Sequence, residues 1–140
     1  MSRLTIFLAR FIGLFTILLV AGMLVRGRAV VETSVADAPV MLAYAIISLA
    51  IGVAMIVGHN VWSGGALPVV VTLVGWLIFA KGLFLLLLPP AALSGMFDHM
   101  RYGAHFSLYL APALVIGLYL VWAGFAARSP DGIGASRDPR

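Results

Sequence analysis

The sequence predicts an all-α fold, an integral membrane four-helix bundle, and three observations carry that expectation. Of 140 residues, 63% are hydrophobic and only 10% are charged, too few charges to cover a soluble surface of this size. The apolar residues gather into four segments, each close to the ~20 residues that a helix needs to cross about 30 Å of hydrocarbon. None of the four alternates apolar and polar residues as a barrel strand would, and helices satisfy the backbone in lipid within one segment.

The spans are expected at about 4–25, 39–58, 67–88 and 106–126, making one domain over 1–128. The first is interrupted by Arg10, the second has no charge, the third holds Lys81, and the fourth contains Pro112. The first segment superficially resembles a signal peptide, but its apolar run is long and lacks a clear small-x-small cleavage site, so it reads as a retained helix. Residues 129–140 (SPDGIGASRDPR) combine Gly, Pro, Ser and charge and read as a flexible polar tail.

Four crossings fix which connections share a side. The N-terminus, the short loop 58–66 and the tail fall on one face, with loops 26–38 and 89–105 on the other. Basic residues near the span ends divide almost evenly, and Arg137 and Arg140 tip the count toward cytoplasmic termini. The formal net charge of +4 includes no basic run interleaved with aromatics, so nucleic acid is not an expected partner. The absence of cysteine excludes disulfides, thiolate metal sites and thiol nucleophiles.

Association of helices in lipid depends on small residues that let backbones approach. Ser48 with Gly52, Ala50 with Ala54, Gly75 with Gly82, and Ala113, Gly117 and Gly124 are the candidates, chiefly for contacts within the chain, with a homo-oligomer face as the alternative. A faint echo links IGVAMIVG in the second span to IGLYLVWAG in the fourth, as two parallel hairpins would produce.

The acids Glu32, Asp37, Asp98, Asp131 and Asp138 all lie outside the spans, whereas proton- and cation-coupled transporters keep an acid near the midplane. Arg10 is expected to snorkel to the N-terminal face. Lys81 either snorkels toward loop 89–105 or faces a polar cavity, pairing with Asp98 or an anionic group. His59 lies on the face opposite His99 and His105, so no two histidines across the bundle can hold a haem, and DHMRYGAH matches no standard metal-ligand spacing. If that stretch is helical, Asp98, Tyr102 and His105 share a face and form a capping or interfacial cluster. No cofactor or metal is expected. In GHNVWSGGALP, His59 and Asn60 either close a tight hairpin or, with Thr72, line a mouth that holds a headgroup or partner.

HNVW, a following proline and VTLVGWLIFAKG together resemble a signature of small four-span bacterial inner-membrane proteins, over about a quarter of the chain. The overall plan is similar to DoxX-like four-helix proteins, including a first helix with GLFTILLVAGMLV. The resemblance brings no catalytic motif. It implies a bacterial inner (cytoplasmic) membrane location and marks His59, Asn60, Trp62, Thr72, Trp76, Lys81 and Gly82 as positions of interest, to which the Lys81 argument adds Asp98. The expected function is a non-enzymatic accessory, assembly or lipid-contacting subunit whose partners are membrane lipids, a larger membrane complex or further copies of itself. The alternative is a small transporter or channel for an anionic or neutral solute using Lys81.

Overall fold

The computed structural model describes residues 1–100 and 105–127, the side chains of Val35, Ala36, Pro90, Ser94, Phe97 and Asp98 excepted. Among the described residues six helices follow one another: α1 (Arg3–Arg26), α2 (Ala29–Ala36), α3 (Ala38–Gly58), α4 (Ala66–Leu87), α5 (Pro90–His99) and α6 (Phe106–Ala126). No strand occurs among the described residues. The four long helices form the bundle, and each is long and apolar enough to cross a membrane. Their ends fall within a residue of those expected, because the hydropathy boundaries coincide with capping residues. The Ser2 hydroxyl accepts the Thr5 N–H at 3.1 Å, and the Asp37 carboxylate accepts the Val40 N–H at 3.1 Å, each satisfying a donor that the first turn leaves open.

The connections 26–38 and 89–105, expected as loops, carry the short helices α2 and α5. In α2 the polar residues turn back on their own backbone. The Thr33 hydroxyl donates to the Ala29 carbonyl at 2.8 Å and the Ser34 hydroxyl to the Val30 carbonyl at 2.7 Å. The two short helices pack on each other at one end of the bundle. Beneath them Met41 and Leu93 form a small core, flanked by Val31, Leu85, Leu88 and Met96.

The long helices form two close pairs, α1 with α6 and α3 with α4. Glycine sets both contacts. A Cβ on Gly13 would lie 2.8 Å from the Val121 backbone nitrogen and 2.9 Å from the Gly117 carbonyl oxygen. One on Gly52 would lie 2.5 Å from the Phe79 Cα, and one on Gly82 would lie 2.7 Å from the Leu49 nitrogen. Ser48, Gly52, Gly75, Gly82, Gly117 and Gly124 are therefore contacts within the chain. Ala50 and Ala54 are a correction: both are exposed, on the far side of α3 from Gly52. Small residues four apart share a face, but only the neighbouring helix decides which face is used.

The two pairs repeat one plan. Buried Thr5, Ile6, Ala9, Gly13 and Val20 in α1 have the same spacing as buried Leu67, Pro68, Val71, Gly75 and Gly82 in α4. Buried Ala45, Gly52, Met55 and His59 match Leu110, Gly117, Leu120 and Gly124 in the same way. The echo between the second and fourth spans is thus also an echo in burial, with α2 and α5 at equivalent places in the two halves. The halves join through Ala9, Ile12, Met55, Leu67, Val71 and Leu120. That core lies toward the end bearing the N-terminus and the α3–α4 turn.

Candidate functional site

The α3–α4 turn gathers most of the residues singled out in the sequence. Gly64 and Gly65 have φ of 88° and 115°, a left-handed region that side chains disfavour, so the chain can reverse tightly here. His59 is buried, its backbone N–H closing α3 on the Met55 carbonyl at 2.7 Å. Its Nε2 lies 3.4 Å from the Pro68 carbonyl oxygen in the first turn of α4, a contact that links the two helices when Nε2 carries the proton.

Thr72 is 1% exposed and acts as a two-way link. Its hydroxyl accepts the Val61 N–H and donates to the Val61 carbonyl, both at 3.0 Å. An irregular residue just beyond α3 thereby has both backbone groups satisfied, as a low-dielectric setting requires. Asn60 stands at the exposed rim, where its Oδ1 accepts the indole N–H of Trp62 at 2.7 Å and lies 3.4 Å from that of Trp76. Both indoles are exposed, and Trp76 meets Phe79 edge-on with ring centroids 6.1 Å apart. A polar tip on a broad apolar ring is the geometry of an aromatic membrane-interface anchor.

The turn is a tight hairpin in which Asn60 meets the Trp62 and Trp76 indoles rather than a helix-end carbonyl. His59, Asn60, Trp62, Thr72 and Trp76 bond to one another or to the backbone of the turn, and Gly82 permits the helix contact farther along. Thr72→Val, which keeps the shape and removes the hydroxyl, is expected to cost about 1–2 kcal/mol by stranding the Val61 backbone groups. Thr72→Ser should recover most of that loss. Thermal midpoints of the two variants check the expectation, and equal midpoints would contradict it.

At the same end of the bundle Arg10 has a role that the sequence did not reveal. Rather than only snorkelling, its Nε donates to the Gly124 carbonyl of α6 at 2.9 Å, and its guanidinium carbon lies 4.6 Å from the Phe125 ring centroid. Gly124 sits in the last turn of α6, where carbonyls lack helical partners and a cation is favoured. A Cβ on Gly124 would lie 3.1 Å from the Arg10 Cγ, so the small residue makes room for the clasp. The bond joins residues far apart in the chain, and only the terminal glycine of the small-residue series hinted at its receiving end.

Lys81 differs from all of these. It is exposed, with no hydrogen bond or ion pair to any described residue. Val74, Ile78, Lys81 and Leu85 recur at the spacing of one helical face. Val74 and Ile78 pack on the core joining the halves, and Leu85 packs on the core beneath α2 and α5. Lys81 therefore stands between the two cores, on the side of α4 turned toward the other half.

Asp98 belongs to α5, but its side chain lies outside the described residues, as do Tyr102 and the pairing or shared face expected of either. His105 precedes α6, where its carbonyl accepts the Leu108 and Tyr109 N–H groups at 2.9 and 3.1 Å. The Tyr109 hydroxyl donates to the Met100 carbonyl at 2.9 Å, tying the start of α6 to the end of α5. Among the described residues no group of three or more His, Asp or Glu side chains is placed to hold a metal.

Comparison with protein-family models, curated proteins and solved structures finds no match.

Proposed function

We propose that this chain is a multi-pass subunit of a bacterial inner membrane, with both termini cytoplasmic, that acts without chemistry of its own as an accessory, assembly or lipid-contacting component. The observation that carries the proposal is how its polar residues are used. Arg10, His59, Asn60 and Thr72 bond to the chain's own backbone or side chains and hold helices together, a structural rather than a catalytic use. The outward faces of the long helices carry large apolar side chains, such as Phe7, Phe11, Leu18, Leu77, Val115 and Trp122, which suit contact with lipid or another membrane helix.

Lys81 favours one second reading, a small transporter or channel for an anionic or neutral solute. Two measurements separate the proposals. Native-membrane purification should recover the chain with a larger assembly, and liposomes containing the pure protein should show no flux of small anions or neutral solutes. Flux that disappears in Lys81→Met would overturn the accessory reading and establish the transporter.

A further inference from the structure

We propose that the seam between the two helix pairs, on the α2–α5 side of the bundle, binds one anionic phospholipid, its phosphate on Lys81 and Arg26 and an acyl chain along α1 and α4.

The wall from α4 is the stripe Ile78, Lys81, Leu85. The facing stripe of α1 follows from the repeat: Leu19 stands beyond Gly13 as Lys81 stands beyond Gly75. Ile12, Leu19, Met23 and Arg26 recur at the spacing of one face. Ile12 is buried in the core that joins the halves, but Leu19 is 48% exposed and Arg26 is exposed at the end of the helix. A Cβ on Gly22 would meet nothing within 4 Å, so α1 is uncovered at that position beside the stripe, while Val20 on another face stays buried. The seam is filled at Ile12 and Val74 and bears exposed side chains at Leu19 and Lys81. Leu85 then enters the core beneath α2 and α5.

Its chemistry selects the occupant. Arg26 and Lys81 have no hydrogen bond or ion pair to any described residue, and the wall between them is apolar. Lys81 lies about 9 Å of helix from Leu87 at the end of α4, a depth from which a lysine reaches toward the phosphate level along an apolar stem. Arg26 closes the same stripe at the surface. Two cations above an apolar wall match a phosphate ester with a hydrocarbon chain. A second copy of this protein has no Asp or Glu in any span to bring to Lys81. A lipid is present in every membrane and needs no such residue.

The proposal rests on the lipid-contacting part of the function above but is tested on the isolated chain, so its failure leaves the accessory role to the native-membrane experiment. The full chain is purified in mild detergent and exposed to equal phosphatidylglycerol and phosphatidylcholine, and bound lipid is counted by native mass spectrometry. One phosphatidylglycerol should be retained in preference. Lys81→Met should cut its occupancy about tenfold, the scale of one lost charge-assisted hydrogen bond, while Lys81→Arg retains it. Leu19→Trp leaves both cations in place and fills the wall, so it should displace the lipid independently if Lys81→Met folds poorly. Equal retention of the two lipids by the native chain, or unchanged phosphatidylglycerol in folded Lys81→Met and Leu19→Trp, would overturn the site. So would displacement of the lipid by a co-purifying protein whose acid cross-links to Lys81.

Discussion

Gly52→Ala is expected to be among the most damaging single-methyl additions to this chain, lowering stability by about 1–3 kcal/mol or more. The new Cβ would sit 2.5 Å from the Phe79 Cα and 2.6 Å from its nitrogen. These are backbone atoms, and no rotamer change can remove them, so α3 and α4 must move apart. Separation would also pull on the Thr72–Val61 bonds and on the Gly82 contact with Leu49, because all lie on one interface. Gly22→Ala is the matched control. The same methyl group there meets nothing within 4 Å, and alanine favours the helix, so neutrality or a slight gain is expected. Denaturant midpoints in a defined detergent check the pair. Equal midpoints would mean that α3 and α4 are not in the close contact described.

Arg10→Met should also be costly, by about 2–4 kcal/mol, the sum of a charge-assisted hydrogen bond and a partly desolvated cation–π contact. Methionine retains an apolar stem, so the loss is that of the guanidinium. The Gly124 carbonyl loses the Arg10 donor, and Phe125 loses its cation. The local sign should be faster hydrogen exchange in the last turn of α6 than in α3. Arg10→Lys keeps the charge but not the directed Nε bond and should fall between. A fully stable Arg10→Met protein would mean that Arg10 merely reaches for the membrane surface.

The contrast between these sites shows what the sequence can disclose. Span limits were legible because hydropathy changes abruptly where Ser2, Asp37 and Gly65 also end or begin helices. The hairpin was legible too, since Gly64, Gly65 and Pro68 permit little else between two long apolar runs. Helix pairing was not. A run of small residues marks a close contact without naming the partner, so Gly117 and Gly124 did not announce α1, and Ala50 and Ala54 looked as suitable as Gly52.

The short helices escaped notice for a different reason. VVETSVA is polar enough to read as a loop, and its helix is held by a core supplied by α3, α4 and α5, while Thr33 and Ser34 turn their hydroxyls back on its own carbonyls. Arg10 was read by depth alone, which gives the nearest membrane face but not the carbonyl waiting there. Lys81 was conspicuous from the start, as an ionisable group in a span should be. The structure adds its setting: the neighbouring motif residues are engaged in closing the hairpin, and Lys81 is turned to the seam.

The central claim is that four long helices cross a membrane, placing the α3–α4 turn on one side and α2 with α5 on the other. Since the chain has no cysteine, Ser63→Cys in the turn and Thr33→Cys in α2 each introduce a unique thiol at an exposed position. An impermeant maleimide should label one of the two variants in sealed vesicles and both after permeabilisation. Labelling of both thiols in sealed vesicles of uniform orientation would place them on one side and contradict the four-span arrangement.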